Sequence, residues 1–236
     1  MEIPNIKIPK RERIVVFSDF DGVFKNHSEF PSFVYRNIPR RMKSNPSHIR
    51  EFMFKNYNTV FGYKPPKVFE DMITFFKETA TAFDEEIFTR YIDSLNEKPV
   101  IDHFLYTNKL VPYVKEIIPL HAKNPEIMKQ VYERYTDKND IILKIGDEVG
   151  DLENELTDRR KITLGFDGYL EKNQSDLKSL SKIYIDKEDR KTPSISIYKI
   201  YSGLEKELKN LDVPRNDPLI KGITNLKNHY ESKQAE

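Results

Sequence analysis

Two groups of carboxylates stand out for the chemistry they could do. In Ile14-Val15-Val16-Phe17-Ser18-Asp19-Phe20-Asp21-Gly22 a short apolar run ends in two aspartates separated by one residue. The glycine after them lets the backbone turn sharply. Such a pair could act as nucleophile plus acid/base, or as half of a metal site. It could equally be a polar turn where a strand meets a loop. Phe166-Asp167-Gly168 repeats the last three residues after another apolar run, with no second acid before it, so the triplet alone does not mark a site. The second group is Lys144-Ile145-Gly146-Asp147-Glu148-Val149-Gly150-Asp151. Asp147 and Asp151 are four apart and share a face if a helix begins between them. Hard oxygen ligands of this kind suit Mg²⁺; the plainer alternative is an acidic helix start favoured by the helix dipole. Between the two groups lie Thr107, in Leu105-Tyr106-Thr107-Asn108-Lys109, and Lys123, just before Asn124-Pro125-Glu126. A hydroxyl at a strand end and an ammonium before a helix could both hold phosphoryl oxygens, although each is also ordinary surface chemistry.

These side chains need elements to position them. Continuous apolar runs at 14–17, 117–121, 141–145, 162–166 and 183–185, and more weakly at 103–107, suit strands buried on both faces of a parallel sheet. Helical patterns lie between them. One opens at Asn124-Pro125-Glu126 with Ile127, Met128, Val131 and Tyr132 on one face, and a short one covers 151–156. The alternation reads as an α/β fold with a Rossmann-like parallel sheet, in which ligands sit beyond the carboxyl ends of the strands. Residues 25–98 interrupt it. Phe69, Met72, Ile73 and Phe76 share a helix face, as do Ile87, Phe88, Tyr91, Ile92 and Leu95, so this stretch is expected to be an inserted helical domain with an open far boundary. The expected organisation is therefore a core of 1–24 and 99–190, an insertion at 25–98, and a helical extension at 191–236 packing on the core. In that extension Ile197, Ile200, Tyr201, Leu204 and Leu208 form one apolar stripe, and Pro218 starts a second helix.

Composition closes off several classes. The chain has 236 residues, enough for a core without staples. It has no cysteine, which excludes disulfides, thiolate zinc sites and cysteine nucleophiles. Mean hydropathy is low at −0.67. The 15 Phe and 13 Tyr, with 39 basic against 38 acidic residues, nevertheless argue for a folded protein. No apolar run approaches the roughly 20 residues that span a bilayer, and the first residues carry no apolar stretch of signal-peptide length. The expectation is a cytoplasmic protein with no membrane contact.

The order of the signals is more specific than any one of them: a strand ending in Asp-x-Asp-Gly, a strand ending in Thr, a Lys before a helix, and a strand ending in Gly-Asp-x-x-x-Asp. Over about 13–30 and 100–186, and most specifically in FSDFDGVF, LYTNK, AKNPEIMKQ and IGDEVGDLE, the chain resembles the haloacid dehalogenase superfamily, phosphatase type with a helical cap. The resemblance implies that Asp19 attacks phosphorus to form an aspartyl-phosphate, and that Asp21 protonates the leaving oxygen and then activates water. Thr107, Asn108 and Lys123 would grip the phosphoryl group. Mg²⁺ would be bound by Asp19, the backbone carbonyl of Asp21 and Asp147, with Asp151 as a further ligand or as partner of Lys123. Glu148 stands where relatives often carry a small Ser or Thr. The short stretch between Thr107 and Lys123 leaves Lys109 as a substitute for the latter.

The expected activity is phosphate removal from a small phosphorylated metabolite or nucleotide. The alternatives are a phosphomutase and a silent nucleic-acid or partner-binding protein on the same fold. A phospho-accepting receiver module shares the residue types but not their order. Support for a nucleic-acid end as partner comes only from the basic stretch Arg36, Arg40, Arg41, Lys43, Arg50 and Lys55, set against a lone Glu51.

Overall fold

A computed structural model describes residues 12–25, 68–94, 98–120, 125–153, 159–167 and 174–234. Their strands are β1 (Ile14–Ser18), β2 (Phe88–Ser94), β3 (Glu116–Pro119), β4 (Ile141–Gly146), β5 (Lys161–Phe166) and β6 (Ile183–Ile185). Their helices are α1 (Glu70–Ala82), α2 (Lys98–Thr107), α3 (Pro125–Tyr135), α4 (Val149–Leu152), α5 (Gln174–Leu180), α6 (Pro193–Asn210) and α7 (Pro218–Gln234). Every strand pairing is parallel, in the order β3-β2-β1-β4-β5-β6. This is a Rossmann-like α/β sheet. Its order reverses between β1 and β4, and the crevice beyond the carboxyl ends of those two strands is where such sheets bind ligands.

The period of two along the strands explains the two cores. Ile14 and Val16 of β1, with Ile141, Leu143 and Ile145 of β4, pack on one face under α1, α6 and α7. Val15, Phe17 and Ile142 face the other way, against Met128 and Tyr132 of α3. Both faces are covered, so β1 reads as an unbroken apolar run from Ile14 to Phe17. The C-terminal stripe Ile197, Ile200, Tyr201, Leu204 and Leu208 is buried as its spacing requires. Glu78 of α1 accepts hydrogen bonds from Tyr201 (3.0 Å) and Tyr230 (2.5 Å), tying α1, α6 and α7 together. Among the described residues no helix is long and apolar enough to cross a membrane.

Two expected elements are corrected. Residues 103–107 are not a strand but the second half of α2. Ile101, Phe104 and Leu105 recur at helical spacing and are buried. Residues 87–95, expected on a helix, contain β2, which pairs with β1 from Ile14↔Phe88 to Ser18↔Ile92. The apolar residues here fit either period. The sheet prevails because this strand is buried on both faces and its polar members find partners elsewhere: Arg90 donates to the Tyr113 carbonyl at 2.9 Å, and Asp93 pairs with Lys144. The stretch expected as an insertion at 25–98 therefore includes a strand of the sheet itself. Lys25 bridges Val68 and the Phe69 N–H donates to the Phe24 carbonyl at 2.9 Å, so the chain has returned to the sheet domain by Val68. Residues 26–67, including the basic stretch, lie outside the described residues.

Candidate active site

β1 and β4 deliver the acids. One carboxylate oxygen from each of Asp19, Asp147 and Asp151 lies within 4.8 Å of the other two, and all three residues are buried. Asp19 continues the ladder past β1, its N–H donating to the Ile145 carbonyl at 2.9 Å. Asp147 follows β4 directly. Asp151 is the third residue of α4, where its Oδ2 accepts the Glu148 N–H at 3.1 Å. At an effective dielectric of about 20, two carboxylates this close repel by about 3.5 kcal/mol or more.

Two glycines make the approach possible. Gly22 has φ +70°, and a Cβ on it would stand 1.9 Å from Asp147 Oδ2. A Cβ on Gly146 would stand 2.1 Å from the Asp151 Cβ. Phe20, between the two acids of the first motif, is fully buried, edge-on to Phe104 with ring centroids 4.9 Å apart, and anchors the turn. The turn closes through Phe24 N–H to the Phe20 carbonyl (3.0 Å) and Gly22 N–H to the Lys25 carbonyl (2.9 Å). The donor set fits a hard divalent cation: three buried carboxylates, all oxygen, around a backbone shaved of side chain.

The other expected residues divide. The Asp21 carboxylate stands outside the three-acid cluster and forms an ion pair with Lys25, a buried lysine the sequence reading passed over. Glu148 is exposed at the start of α4 rather than turned into the cluster. Thr107 and Asn108 do not stand at a strand end as expected: Thr107 is the last residue of α2 and Asn108 follows it. Thr107 is exposed, Asn108 spends its amide on the Phe104 carbonyl at 2.9 Å, and Lys109 takes a left-handed φ of 56° as the helix stops. Lys123 lies outside the described residues.

The hydroxyl at the relevant edge is Ser94, the last residue of β2 and 1% exposed. By register, two residues beyond Ser18↔Ile92, it lies level with Phe20. The sequence carries little signal for it: IFTRYIDS mixes Ile87, Phe88, Tyr91 and Ile92 with Thr89, Arg90, Asp93 and Ser94, so no apolar run points to the hydroxyl at its end. Beneath this edge Lys144 of β4 reaches across β1 to Asp93 of β2 at 2.8 Å, both fully buried, with the Tyr132 ring 4.8 Å from its ammonium. Burial, then Asp93 and Asp151, push the Tyr132 phenol well above its ordinary range. The second Phe-Asp-Gly triplet has a structural use instead, because Asp167 accepts the Tyr184 hydroxyl at 3.1 Å.

No family model and no curated protein matches the chain. Solved structures do. A haloacid dehalogenase-like family hydrolase from Streptococcus pneumoniae shares 16% identity at a TM-score of 0.46, over 75% of this chain and 94% of that one. A predicted phosphatase from Clostridium acetobutylicum shares 14% at 0.48, over 86% and 100%. The L-2-haloacid dehalogenase of Xanthobacter autotrophicus shares 12% at 0.44, over 68% and 80%. In its own parallel sheet and its two acid-bearing strand ends, the chain resembles the haloacid dehalogenase superfamily.

Proposed function

We propose that the protein is a Mg²⁺-dependent phosphohydrolase that removes phosphate from a small phosphorylated molecule through an aspartyl-phosphate on Asp19. The observation that carries this reading is the convergence of buried Asp19, Asp147 and Asp151 beyond β1 and β4. Asp19, Asp147 and Asp151, with the Asp21 carbonyl, would hold the ion. When bound, Mg²⁺ supplies positive charge between an anionic nucleophile and an anionic phosphate.

The chain's own groups do the rest. A carboxylate oxygen of Asp19 attacks phosphorus and the ester oxygen leaves, taking a proton from Asp21. Asp21 then removes a proton from the water that attacks the phosphoryl group and frees Asp19. Dividing hydrolysis into two displacements lets one carboxyl act first as acid and then as base. Asp21 suits that exchange because it is partly exposed and set apart from the three clustered acids. Ser94 takes the hydroxyl role at the phosphoryl oxygens, and Lys123, two residues before α3, supplies the ammonium.

The test is phosphate release from p-nitrophenyl phosphate and a broad panel of phosphate esters, with Mg²⁺ or with EDTA. The expected result is Mg²⁺-dependent release by the wild type that Asp19→Asn and Asp21→Asn abolish. Wild-type release no greater than that of the variants, across the whole panel, would sink the reading. A product that is an isomer, with little free phosphate, would make the protein a mutase.

A further inference from the structure

Arg190 lies in a short 3-10 turn after β6, far in sequence from every acid of the site. Its guanidinium is nevertheless among the most heavily engaged groups near it. Nη1 donates to the Gly22 carbonyl and Nη2 to the Val23 carbonyl, both at 2.6 Å. Nε and Nη2 also grip Asp71 in a fork, at 3.0 and 3.1 Å. The guanidinium carbon stands over two rings, 3.5 Å from the centroid of Phe69 and 4.2 Å from that of Phe166. Its side chain is 4% exposed and that of Asp71 is 1% exposed. Asp71 is itself oriented by the Ser196 hydroxyl at 2.7 Å. Burial pushes the Arg190 guanidinium down from its ordinary range, while Asp71 and then Asp147 pull it back up.

The acceptors decide what this arrangement does. Gly22 and Val23 belong to the turn that follows Asp19 and Asp21, and Gly22 is the residue packed on the Asp147 carboxylate. Phe69 and Asp71 belong to the segment that returns to the sheet domain. Phe166 ends β5, the neighbour of β4. One planar group thus fixes the backbone of the acid-bearing turn relative to α1, β5 and α6. A planar fork with five donors can serve two carbonyls and a carboxylate together; a lysine ammonium, with three donors at a point, cannot do so in this geometry.

We propose that Arg190 is a positioning residue for the reaction, holding the Gly22–Val23 carbonyls so that Asp19 and Asp21 meet the substrate and Asp19 and Asp147 keep their spacing. Asp71 and Ser196 hold Arg190 in turn. This inference rests on the phosphohydrolase reading for its kinetic consequence, but its effect on cation binding is independent of turnover.

The test uses Arg190→Lys, which keeps the charge, and the milder Ser196→Ala, which leaves Arg190 in place but releases Asp71. Two quantities are read on full-length protein: kcat and KM for p-nitrophenyl phosphate, and the Mg²⁺ concentration giving half of the ion-induced rise in melting temperature. Arg190→Lys is expected to lower kcat at least tenfold with KM within about threefold of wild type, and to raise the Mg²⁺ half-point at least threefold. Ser196→Ala should shift both in the same direction by a smaller factor. A folded Arg190→Lys with wild-type kcat and half-point overturns the proposal, because charge alone would then suffice. If that variant does not fold, unchanged values in Ser196→Ala overturn it instead. A wild type that releases no phosphate from p-nitrophenyl phosphate or from any ester of the panel, while both variants still shift the Mg²⁺ half-point, refutes the phosphohydrolase reading and leaves the hold of Arg190 on the acid-bearing turn standing.

Discussion

Gly22→Ala is the sharpest perturbation of the site, because a single methyl group acts on it in two separable ways. The first is backbone strain. Gly22 has φ +70°, and an L-residue there costs roughly 1–2 kcal/mol. For a chain of this length that lowers the melting temperature by roughly 2–8 °C. The second is displacement. The new Cβ would stand 1.9 Å from Oδ2 and 2.1 Å from Cγ of Asp147, so the carboxylate must leave its place beside Asp19 and Asp151. If the three acids hold a divalent cation, the second effect removes a ligand. A cation at a hundred times its dissociation constant stabilises the folded state by about 2.7 kcal/mol. That is a rise of roughly 5–11 °C for the wild type. The assay is scanning calorimetry in EDTA and in saturating MgCl₂. Gly22→Ala should melt modestly lower in EDTA and gain less than a third of the wild-type rise in MgCl₂. Gly150→Ala is the control. It lies in the same acidic motif, but its added Cβ meets nothing within 4 Å, so both the wild-type rise and the stability should be kept. A full Mg²⁺ rise in Gly22→Ala would refute the assignment of Asp147 to the cation.

Three further outcomes follow from the same geometry. Ser94→Ala should cut phosphate release roughly a hundredfold, the scale of losing one donor to a developing charge, whereas Thr107→Ala, at the exposed end of α2, should leave kcat unchanged; equal effects would contradict the placement of the hydroxyl on β2. Lys144→Met leaves Asp93 buried without its partner and should cost about 3–5 kcal/mol in urea unfolding, most of it recovered by adding Asp93→Leu; a single variant as stable as wild type would contradict the pair. Glu205 accepts hydrogen bonds from Lys209 (2.9 Å), Lys227 (3.0 Å) and Thr224 (3.0 Å), joining α6 to α7. Burial raises its pKa, but the hydrogen bonds from Lys209, Lys227 and Thr224 outweigh that and bring the carboxyl from 4.5 down to about 2. A folded pKa below the unfolded one gives stability that is complete above about pH 4.5 and lost as the pH falls toward 2. Glu205→Gln should therefore flatten the fall of melting temperature across that window, and an unchanged slope would contradict the linkage.

What the sequence made legible was local. Asp19 and Asp147 each follow a plain apolar run and Asp151 stands four residues after Asp147, so their meeting at the edge shared by β1 and β4 was anticipated through the family resemblance that the order of the motifs carries. The stripe Ile197–Leu208 was equally plain, because a helix packed on one side keeps a single period. β2 was hidden because both its faces are buried and four of its seven residues, Thr89, Arg90, Asp93 and Ser94, are polar. Their partners lie on other elements, so neither alternation nor an apolar run survives in the sequence. α2 was misread for the opposite reason: HFLYT is compact and apolar at a length where strand and helix look alike. Losing β2 moved the expected hydroxyl from Ser94 to Thr107. Arg190 and Lys144 were invisible as site residues because each acts through tertiary contacts, across 168 residues for Arg190 to Gly22 and 51 for Lys144 to Asp93. A buried cation looks like any surface lysine or arginine until the fold supplies its acceptors.

The central claim is that Asp19 carries the phosphoryl group. The most direct measurement is to react the wild type with p-nitrophenyl phosphate and Mg²⁺, quench in acid within the first turnovers, reduce with borohydride and map the peptides by mass spectrometry. An acyl phosphate on Asp19 is reduced to homoserine, so the account predicts homoserine at position 19, absent without Mg²⁺ and absent in Asp19→Asn. Phosphate release with the mark on another residue, or with an unmodified Asp19 under conditions where phosphate is still being released, would contradict it.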